Sequence, residues 1–414
     1  MKKMEDILVK ISRVLCVVIS LVIMLVFASG MAFAQENKIV IGSIWDSIGI
    51  GATSCQMQLK GARLAVKLVN DEGGIFGYPV ELHNVDGQGK LDVISNAAKR
   101  LSEDVKAVAV AGSTDDSFTS AMGPVLQDHQ TVLVVGSATT PTQTRIGDYV
   151  FMAAFGDNIQ GRAMAKYAYD VLGWEKVAIM WDNASAYSTY LSEVFMKSFK
   201  EITGDPDSIV MQEIYQTGDV NYSAQLTRIK FAKDPIDGLI ITPPLPPDAP
   251  KIAMQARDMG IELPFMFGDG ADDITIIEVG GDAVEGSIIS TQFAGDHPLT
   301  ENAKHFVDEF VKEYNEAPGG FEALGYDALR LIMEAIDSIG KETWDSLDLA
   351  GKRTAIRDAL QAKDVFTTTT APISYPDPET AEYPRVPLKT VVFKAVQNQE
   401  LVFLDSLDPE DIFE

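Results

Sequence analysis

Two short apolar runs decide the fold class of this chain: AVAVAG at residues 107–112 and TVLVVG at residues 131–136. Each run is apolar throughout, which is typical of a strand buried on both faces of its sheet. A helix is predicted between them, around residues 120–128. Buried strands separated by helices indicate parallel strands with helices on both faces, so the sequence predicts an α/β fold.

The same alternation continues on both sides of these runs. Upstream, residues 38–44 (KIVIGSI) predict a strand, and the next apolar residues recur at the spacing of one helix face: Leu59, Ala62, Val66 and Val69. Downstream, residues 158–267 predict a second unit of alternating helices and strands, and no linker rich in Pro, Gly or Ser precedes it. Helices predicted after residue 300 and a closing hairpin at 389–404 come too late for a third domain. We therefore interpret them as completing two interwoven lobes.

The first 34 residues have the three parts of a signal peptide. A basic start that ends at Arg13 precedes an apolar run at residues 14–27, and Ala32-Phe33-Ala34 supplies the small residues of a cleavage site. We predict cleavage after Ala34 and export of the mature chain. The alternative is an uncleaved membrane anchor, because the 21 residues from 14 to 34 could just span a bilayer.

The composition excludes several classes of protein. Hydrophobic residues make up 46% and charged residues 23% of the chain, which are ordinary globular values. The net charge is −26, and it becomes −28 without the leader, which carries four basic and two acidic residues. Such an acidic protein repels phosphate backbones, so we expect no nucleic-acid partner. Cys16 lies in the leader, so the mature chain has the lone thiol of Cys55 and no internal disulfide.

Motifs for catalysis and for cofactors are incomplete in this sequence. Gly49 and Gly51 lack the third glycine of a dinucleotide-binding loop, and Leu91 stands where a phosphate-binding loop needs Ser or Thr. The sequence has no G-x-S-x-G motif, and its four histidines lack metal-ligand spacing. We predict a protein that is not an enzyme and that needs no cofactor or metal.

Polar side chains follow the predicted strands, at the edge where ligands bind in open α/β sheets. Residues 112–117 (GSTDDS) and 136–140 (GSATT) are rich in hydroxyl groups, which together with backbone N–H groups could hold a carboxylate. The same residue types also cap helix N-termini, and both interpretations stay open. In the second unit, Asp269 lies between two glycines, where it could pair with an ammonium group or simply occupy a turn.

Three further side chains are candidates for the wall of a binding cleft. Leu245 lies in a stiff loop of prolines that follows the predicted strand at 238–241. Trp45 follows the predicted strand at 38–44 and Trp181 ends the predicted strand at 177–181, although tryptophan is more often part of a core.

The order of these segments resembles that of the periplasmic solute-binding proteins of the branched-chain amino acid ABC-transporter type, such as leucine-binding proteins. The resemblance spans residues 38–404. The segments that carry it are KIVIGSI at 38–44, KGARLAVKLVNDEGGIFGYPVEL at 60–82, VAVAGS at 108–113, VLVVGSATTPT at 132–142, VAIMWDNASAY at 177–187 and AMQARDMGIELPFMFGDG at 253–270. The resemblance implies two Rossmann-like α/β lobes joined by three crossovers (the type I periplasmic binding fold), which close on a ligand like a Venus flytrap.

The resemblance also implies how the chain divides between the lobes. We expect an N-terminal lobe of residues 35–155 and 290–365, and a C-terminal lobe of residues 156–289 and 366–414.

The resemblance further implies a ligand site between the lobes. The turn after VAVAG and the segment of Ser137, Ala138 and Thr139 would meet the α-carboxylate and ammonium groups of an amino acid. Tyr187 would cover the ligand, and Asp269 would pair with its ammonium group.

This sequence departs from the family pattern at the ligand carboxylate. The ligand-binding serine of the family falls on Asp116, with Ser117 one residue later, and Leu245 replaces a common aromatic residue. A carboxylate at Asp116 would repel the carboxylate of a ligand unless the loop presents Ser117 instead. A ligand other than leucine, isoleucine or valine therefore comes into consideration.

We expect the binding component of an ABC importer: a periplasmic monomer that captures an amino acid or a related small polar metabolite. It would deliver this ligand to a membrane permease and its ATPase. A ligand-sensing module for a receptor or kinase is an alternative with the same fold. An enzyme on this scaffold is a third possibility, and it would depend on Asp115, Asp116 and Asp269, which no nucleophile accompanies.

Overall fold

The computed structural model describes residues 38–49, 51–362 and 365–413. The predicted signal peptide and its cleavage site after Ala34 lie outside these residues. Within them, the chain forms two sheets that are mostly parallel and are flanked by helices. This arrangement confirms the α/β class and the two repeated units that the alternation of apolar runs predicts.

The first sheet consists of five parallel strands. They are β1 (Ile39–Ile44), β2 (Val80–Val85), β3 (Ala109–Ala111), β4 (Val132–Val135) and β5 (Val150–Met152), in the spatial order β2-β1-β3-β4-β5. Alternate residues of one strand pack into two different cores, since Ala109 and Ala111 face one side of the sheet and Val110 the other. Both faces of the sheet are covered, which explains why these strands are apolar throughout.

The second sheet repeats this topology and extends it by a hairpin. Its strands are β6 (Val177–Asp182), β7 (Ile209–Tyr215), β8 (Gly238–Thr242), β9 (Phe265–Phe267), β10 (Ile288–Thr291), β11 (Val391–Gln397) and β12 (Glu400–Leu407). The parallel part has the order β7-β6-β8-β9-β10, which matches the first sheet strand for strand. The antiparallel hairpin β11-β12, predicted from the sequence, adds to β10.

Thirteen α-helices accompany these strands within the described residues. They are α1 (Ala52–Asp71), α2 (Leu91–Glu103), α3 (Asp116–Asp128), α4 (Asp157–Lys166), α5 (Ala186–Thr203), α6 (Ser223–Lys230), α7 (Asp248–Asp258), α8 (Thr275–Gly280), α9 (Glu301–Tyr314), α10 (Gly320–Ile339), α11 (Lys341–Ser346), α12 (Leu349–Ala362) and α13 (Pro409–Phe413). Among them, none combines the length and the apolar character that crossing a bilayer requires. Cys55 on α1 is a buried free thiol, as predicted.

Helices α1 and α10 pack against each other through a pair of glycines. A Cβ atom on Gly61 of α1 would overlap the carbonyl oxygen of Glu322, and one on Gly325 of α10 would overlap that of Gln58. The two backbones therefore touch where each helix lacks a side chain. This contact fixes the position of Gln58, whose side-chain amide donates a hydrogen bond to Ser137.

The chain passes between the two sheets three times: after β5, after β10 and after α12. The fully buried ammonium group of Lys389 links the first and third passages. It donates hydrogen bonds to the carbonyl oxygen of Ala153, at 2.8 Å, and to the hydroxyl of Thr370. The Thr370 hydroxyl in turn donates to Asp327 at 2.5 Å. Burial lowers the pKa of Lys389 to about 8, although the charge of Asp327 opposes this shift.

Two packing details bear on the predicted division between lobes, which remains a prediction. The predicted boundary at residue 289 falls inside β10, which pairs with β9 in the second sheet. Phe366, Ile373 and Tyr375 pack in the core of the first lobe. We propose that the C-terminal lobe includes all of β10 and that the third passage begins after Tyr375.

The glycine contact between α1 and α10 predicts a sharp difference between two substitutions. Gly325→Ala should destabilise the protein by about 2 kcal/mol, because the added methyl group overpacks two backbones that cannot easily separate. The measurement is the free energy of unfolding from urea denaturation. The control is Gly351→Ala in α12, where the added methyl group meets only the movable side chains of Leu347 and Asp348. Equal stability of the two variants would contradict the contact.

Candidate functional site

The strand ends of both sheets meet at one small cavity. This inner cavity has a volume of about 40 Å³. Its lining comes from the loops after β3 and β4, the segments after β6, β8 and β9, and the start of α10: Thr114, Asp115, Asp116, Ser137, Ala138, Thr139, Tyr187, Pro244, Asp269, Gly270 and Phe321. It lies beyond the carboxyl ends of the parallel strands, where open α/β sheets bind their ligands.

A larger space, the outer cleft, lies next to the inner cavity and has a volume of about 790 Å³. The two spaces share Asp115, Asp116 and Pro244 in their linings. Ser117 and Leu245 line the outer cleft only. All eight residues predicted to contact the ligand thus border one of two adjoining spaces, and their contact with a ligand stays a prediction.

Asp116 begins α3, and its carboxylate is buried against the loop that follows β4. Its side chain accepts hydrogen bonds from the Thr140 hydroxyl at 2.5 Å and from the Gln143 amide at 2.9 Å. Burial raises the pKa of Asp116 to about 6, and the charge of Asp115 adds to the shift while the two hydrogen bonds oppose it. The helix cap is supplied by Asp115, which accepts from the Ser117 N–H at 2.8 Å. Asp115 therefore caps α3 and also lines the inner cavity together with Asp116, so helix capping and a place in the cavity lining are compatible in this turn.

Asp157 places a second carboxylate behind the inner cavity. It lies in the first turn of α4 and is fully buried. One of its oxygens, Oδ2, is 3.3 Å from the Thr140 hydroxyl, and the other, Oδ1, has no hydrogen-bond partner among the described residues. Burial raises the pKa of Asp157 well above its usual value, and the negative charges of Asp116 and Asp269 raise it further.

Asp269 brings a third carboxylate from the other lobe. Its Oδ1 accepts hydrogen bonds from the Tyr187 hydroxyl at 2.8 Å and from the Gln160 amide at 3.0 Å. Tyr187 is held in turn by the N–H of Gly270, which donates to its oxygen at 3.2 Å. Burial and the charge of Asp272 raise the pKa of Asp269 to about 6, against the effect of both donors.

Ser137 is positioned by a chain of buried hydrogen bonds that starts in the core. The indole N–H of Trp45 donates to Gln58 at 3.1 Å, and the Gln58 amide donates to the Ser137 oxygen at 2.6 Å. Because Ser137 accepts from Gln58, its own hydrogen remains for a ligand. Trp45 and Trp181 line neither space: Trp45 is buried in one core and the half-buried Trp181 packs against another, which is the alternative that the sequence left open.

Three residues at the site are not predicted from the sequence: Asp157, Gln160 and Phe321. Asp157 and Gln160 follow β5, a strand that was not predicted, so nothing marked them as strand-end residues. Phe321 reaches the inner cavity from the first turn of α10, far along the chain from the strands it faces. Within residues 38–413 as described, no group of three or more His, Cys, Asp or Glu side chains is arranged to hold a metal ion.

Comparisons with known proteins agree with this architecture. A family model described as periplasmic binding protein matches residues 38–377. The chain is 27% identical over 349 residues to Leu/Ile/Val-binding protein homolog 1 of Brucella suis biovar 1, which covers 81% of this chain and 87% of that protein. It is 26% identical over 300 residues to an amino acid binding protein of Pseudomonas aeruginosa, with 72% and 76% covered.

Solved structures give the same result. The leucine binding protein LivK from Thermotoga maritima is 28% identical with a TM-score of 0.79, and the match covers 90% of this chain and 99% of that one. The substrate binding protein LivJ from Streptococcus pneumoniae, solved in complex with isoleucine, is 27% identical with a TM-score of 0.79, and 90% and 100% are covered. These matches confirm the two-lobed fold and the resemblance stated above. Because the matched proteins bind solutes, this chain is a binding protein and not an enzyme.

The raised pKa of Asp116 predicts how stability depends on pH in the absence of ligand. Its folded-state pKa of about 6 exceeds the unfolded value of 3.8, so the stabilisation is complete below about pH 4 and disappears as the pH rises through 6. Between pH 4.5 and 7.5, the wild type should lose about 2 kcal/mol that the Asp116→Asn variant does not lose.

Urea denaturation of both proteins at the two pH values measures this difference, and any constant cost of the substitution cancels. The control is Asp258→Asn, an exposed carboxyl outside both spaces, which should follow the wild type. A variant of Asp116 with the same pH dependence as the wild type would contradict the shift.

Proposed function

The chain belongs to the periplasmic binding protein family, and from that premise we propose that it captures an amino acid or related small polar metabolite between its lobes. It then delivers this ligand to a membrane permease. The observation that carries the proposal is the inner cavity, which takes Asp116, Ser137 and Thr139 from one sheet and Tyr187 and Asp269 from the other. A ligand that contacts both sets of side chains stabilises the form in which the lobes are together.

The size of the inner cavity supports a cycle of opening and closing. About 40 Å³ is room for a few water molecules at most and is too small for an amino acid. The lobes must therefore separate before a ligand enters, or the ligand must also occupy the outer cleft beyond Asp116 and Pro244. Closure by hinge motion around a bound ligand is a recurring device of two-lobed proteins.

The amino acid class of ligand is proposed from the relatives. The Brucella and Pseudomonas proteins are named for binding Leu/Ile/Val and amino acids, and the Streptococcus structure contains isoleucine. Members of this family are exported to the periplasm. We propose that this chain acts there as a monomer, after cleavage at Ala34, with an ABC permease and its ATPase as partners.

The first test is a binding screen on the mature chain from residue 35. L-amino acids, small amines, amides, carboxylates and sugars are added in turn, and the midpoint of thermal unfolding is measured. A compound present at 100 times its Kd should stabilise the protein by about 2.7 kcal/mol. Small-angle X-ray scattering should then show a smaller radius of gyration with that compound. Saturable binding without any change in the radius would contradict the closure mechanism.

Delivery to a permease is tested in cells. Uptake of the compound that binds tightest should fall in a strain that lacks this protein and recover when the gene is restored. Unchanged uptake, together with a lost transcriptional response to the compound, would contradict the transport proposal and favour a ligand sensor.

Tyr187→Phe tests whether the hydroxyl group of Tyr187, which lines the inner cavity, contributes to ligand binding. Loss of the hydroxyl removes the hydrogen bond to Asp269 and the acceptor for the Gly270 N–H. We expect affinity for the compound selected in the screen to fall, because Asp269 loses one of the two side-chain donors that orient its carboxylate. Isothermal titration calorimetry measures the change. Tyr169→Phe, which lines neither space, is the matched control and should bind like the wild type.

A further inference from the structure

The charges that border the candidate site all have one sign. Five aspartates line the inner cavity or the outer cleft: Asp92, Asp115, Asp116, Asp182 and Asp269. The described residues that line these two spaces include no Lys, Arg or His. Anything that enters therefore meets a negative potential from both lobes, which attracts cations and repels carboxylates.

Three carboxylates at or behind the inner cavity, those of Asp116, Asp157 and Asp269, also lack an ionic partner inside the protein. In the described part of the chain, no Lys, Arg or His nitrogen lies within 4.0 Å of the carboxylate of Asp116, Asp157 or Asp269. Asp116 and Asp157 share the single hydroxyl hydrogen of Thr140, which can be donated to only one of them at a time, and the remaining donors to Asp116 are neutral groups such as the Gln143 amide. Asp157 Oδ1 has no hydrogen-bond partner among the described residues, although the Thr139 side chain is near enough to this carboxylate to oppose the rise of its pKa.

The neighbouring carboxylate of Asp272, in contrast, has a cationic partner within the protein, Lys394. Asp272, three residues after Asp269, is buried and accepts from the ammonium group of Lys394 at 2.8 Å. The Thr291 hydroxyl also donates to Asp272, at 2.5 Å. A buried carboxylate with a lysine partner thus lies directly behind one without it. Unpaired buried charges are costly, so the difference points to a partner that comes from outside the chain.

We propose that the ligand of this site is a small organic cation, a primary amine or guanidinium compound without a carboxylate group. This inference rests on the function proposed above and specifies its ligand class. The cation takes the place of the missing lysine between Asp116 of one lobe and Asp269 of the other. Gln160 and Tyr187 both donate to Asp269 Oδ1, so Oδ2, which receives no side-chain hydrogen bond among the described residues, is the oxygen left for the ligand.

The same charges explain why the ligand would close the lobes. Without a cation, bringing Asp269 toward Asp116 places two carboxylates together in a space of low dielectric constant, which opposes closure. A bound ammonium or guanidinium group reverses the sign of this interaction. A zwitterionic amino acid would do so less well, because its carboxylate would add a further negative charge beside Asp116.

Matched pairs of compounds test the proposal directly. Each amino acid is compared with the amine that has the same skeleton without the carboxylate: L-leucine with isoamylamine, L-arginine with agmatine, and L-ornithine with putrescine. Calorimetric titration of the mature wild-type chain gives the Kd of each compound. We expect at least one amine to bind, and every amine that binds to have a Kd at least tenfold lower than its amino acid.

The outcomes separate this inference from the proposed function. If L-leucine or another amino acid binds more tightly than its amine, the cationic ligand class is overturned while solute capture stands. If no compound of the pairs and none of the wider screen binds, the proposed function itself is overturned.

Substitution of Asp269 provides a second, independent test of the proposal. Asp269→Asn should weaken binding of the tightest amine of the three pairs at least tenfold, while Asp258→Asn should leave it unchanged. Circular dichroism and the unfolding midpoint establish that both variants are folded. Equal amine affinity in folded Asp269→Asn and wild type would overturn the pairing of the cation with Asp269.

Discussion

Parallel strands bring all their carboxyl ends to one edge of a sheet, and here two such edges face each other across the inner cavity. The rest of the site depends on this constraint. It brings Asp116 and Asp269 into one space although 152 positions of sequence separate them. Because the two sheets have the same strand order, each contributes loops from its own point of reversal, and neither lobe alone completes the lining.

Much of this architecture could be predicted from local sequence, and the omissions have a physical cause. The runs at 107–112 and 131–136 are long and apolar, so they identified β3 and β4. The strands β5 and β10, of three and four residues, are not predicted, because periodicity alone does not distinguish a strand from a helix in a short apolar segment. The strand β3 is as short as β5, and the apolar run around it, residues 107–112, made it recognisable. Because β5 is not predicted, Asp157 and Gln160 could not be recognised as residues that follow a strand. Because β10 is not predicted, one predicted lobe boundary falls inside it.

The candidate site could be predicted only in part. Hydroxyl-rich turns and Asp269 between glycines were recognisable at strand ends, and the resemblance to a known family singled out Asp116 as the departure. The sequence could not reveal that Asp116, Asp157 and Asp269 belong to one group, because that depends on how the lobes meet. Nor could it show that Lys394 is engaged by Asp272 and therefore does not neutralise them.

The buried hydrogen bonds of Lys389 tie two of the three passages between the lobes to each other. The ammonium group of Lys389, in the third passage, is bonded to Ala153 in the first passage and to Thr370, so the two passages cannot move apart without breaking buried hydrogen bonds. Asp157 is only four residues from Ala153, so the start of α4 is close in sequence to this link. The first and third passages therefore act as one connection between the lobes rather than as two independent strands of chain.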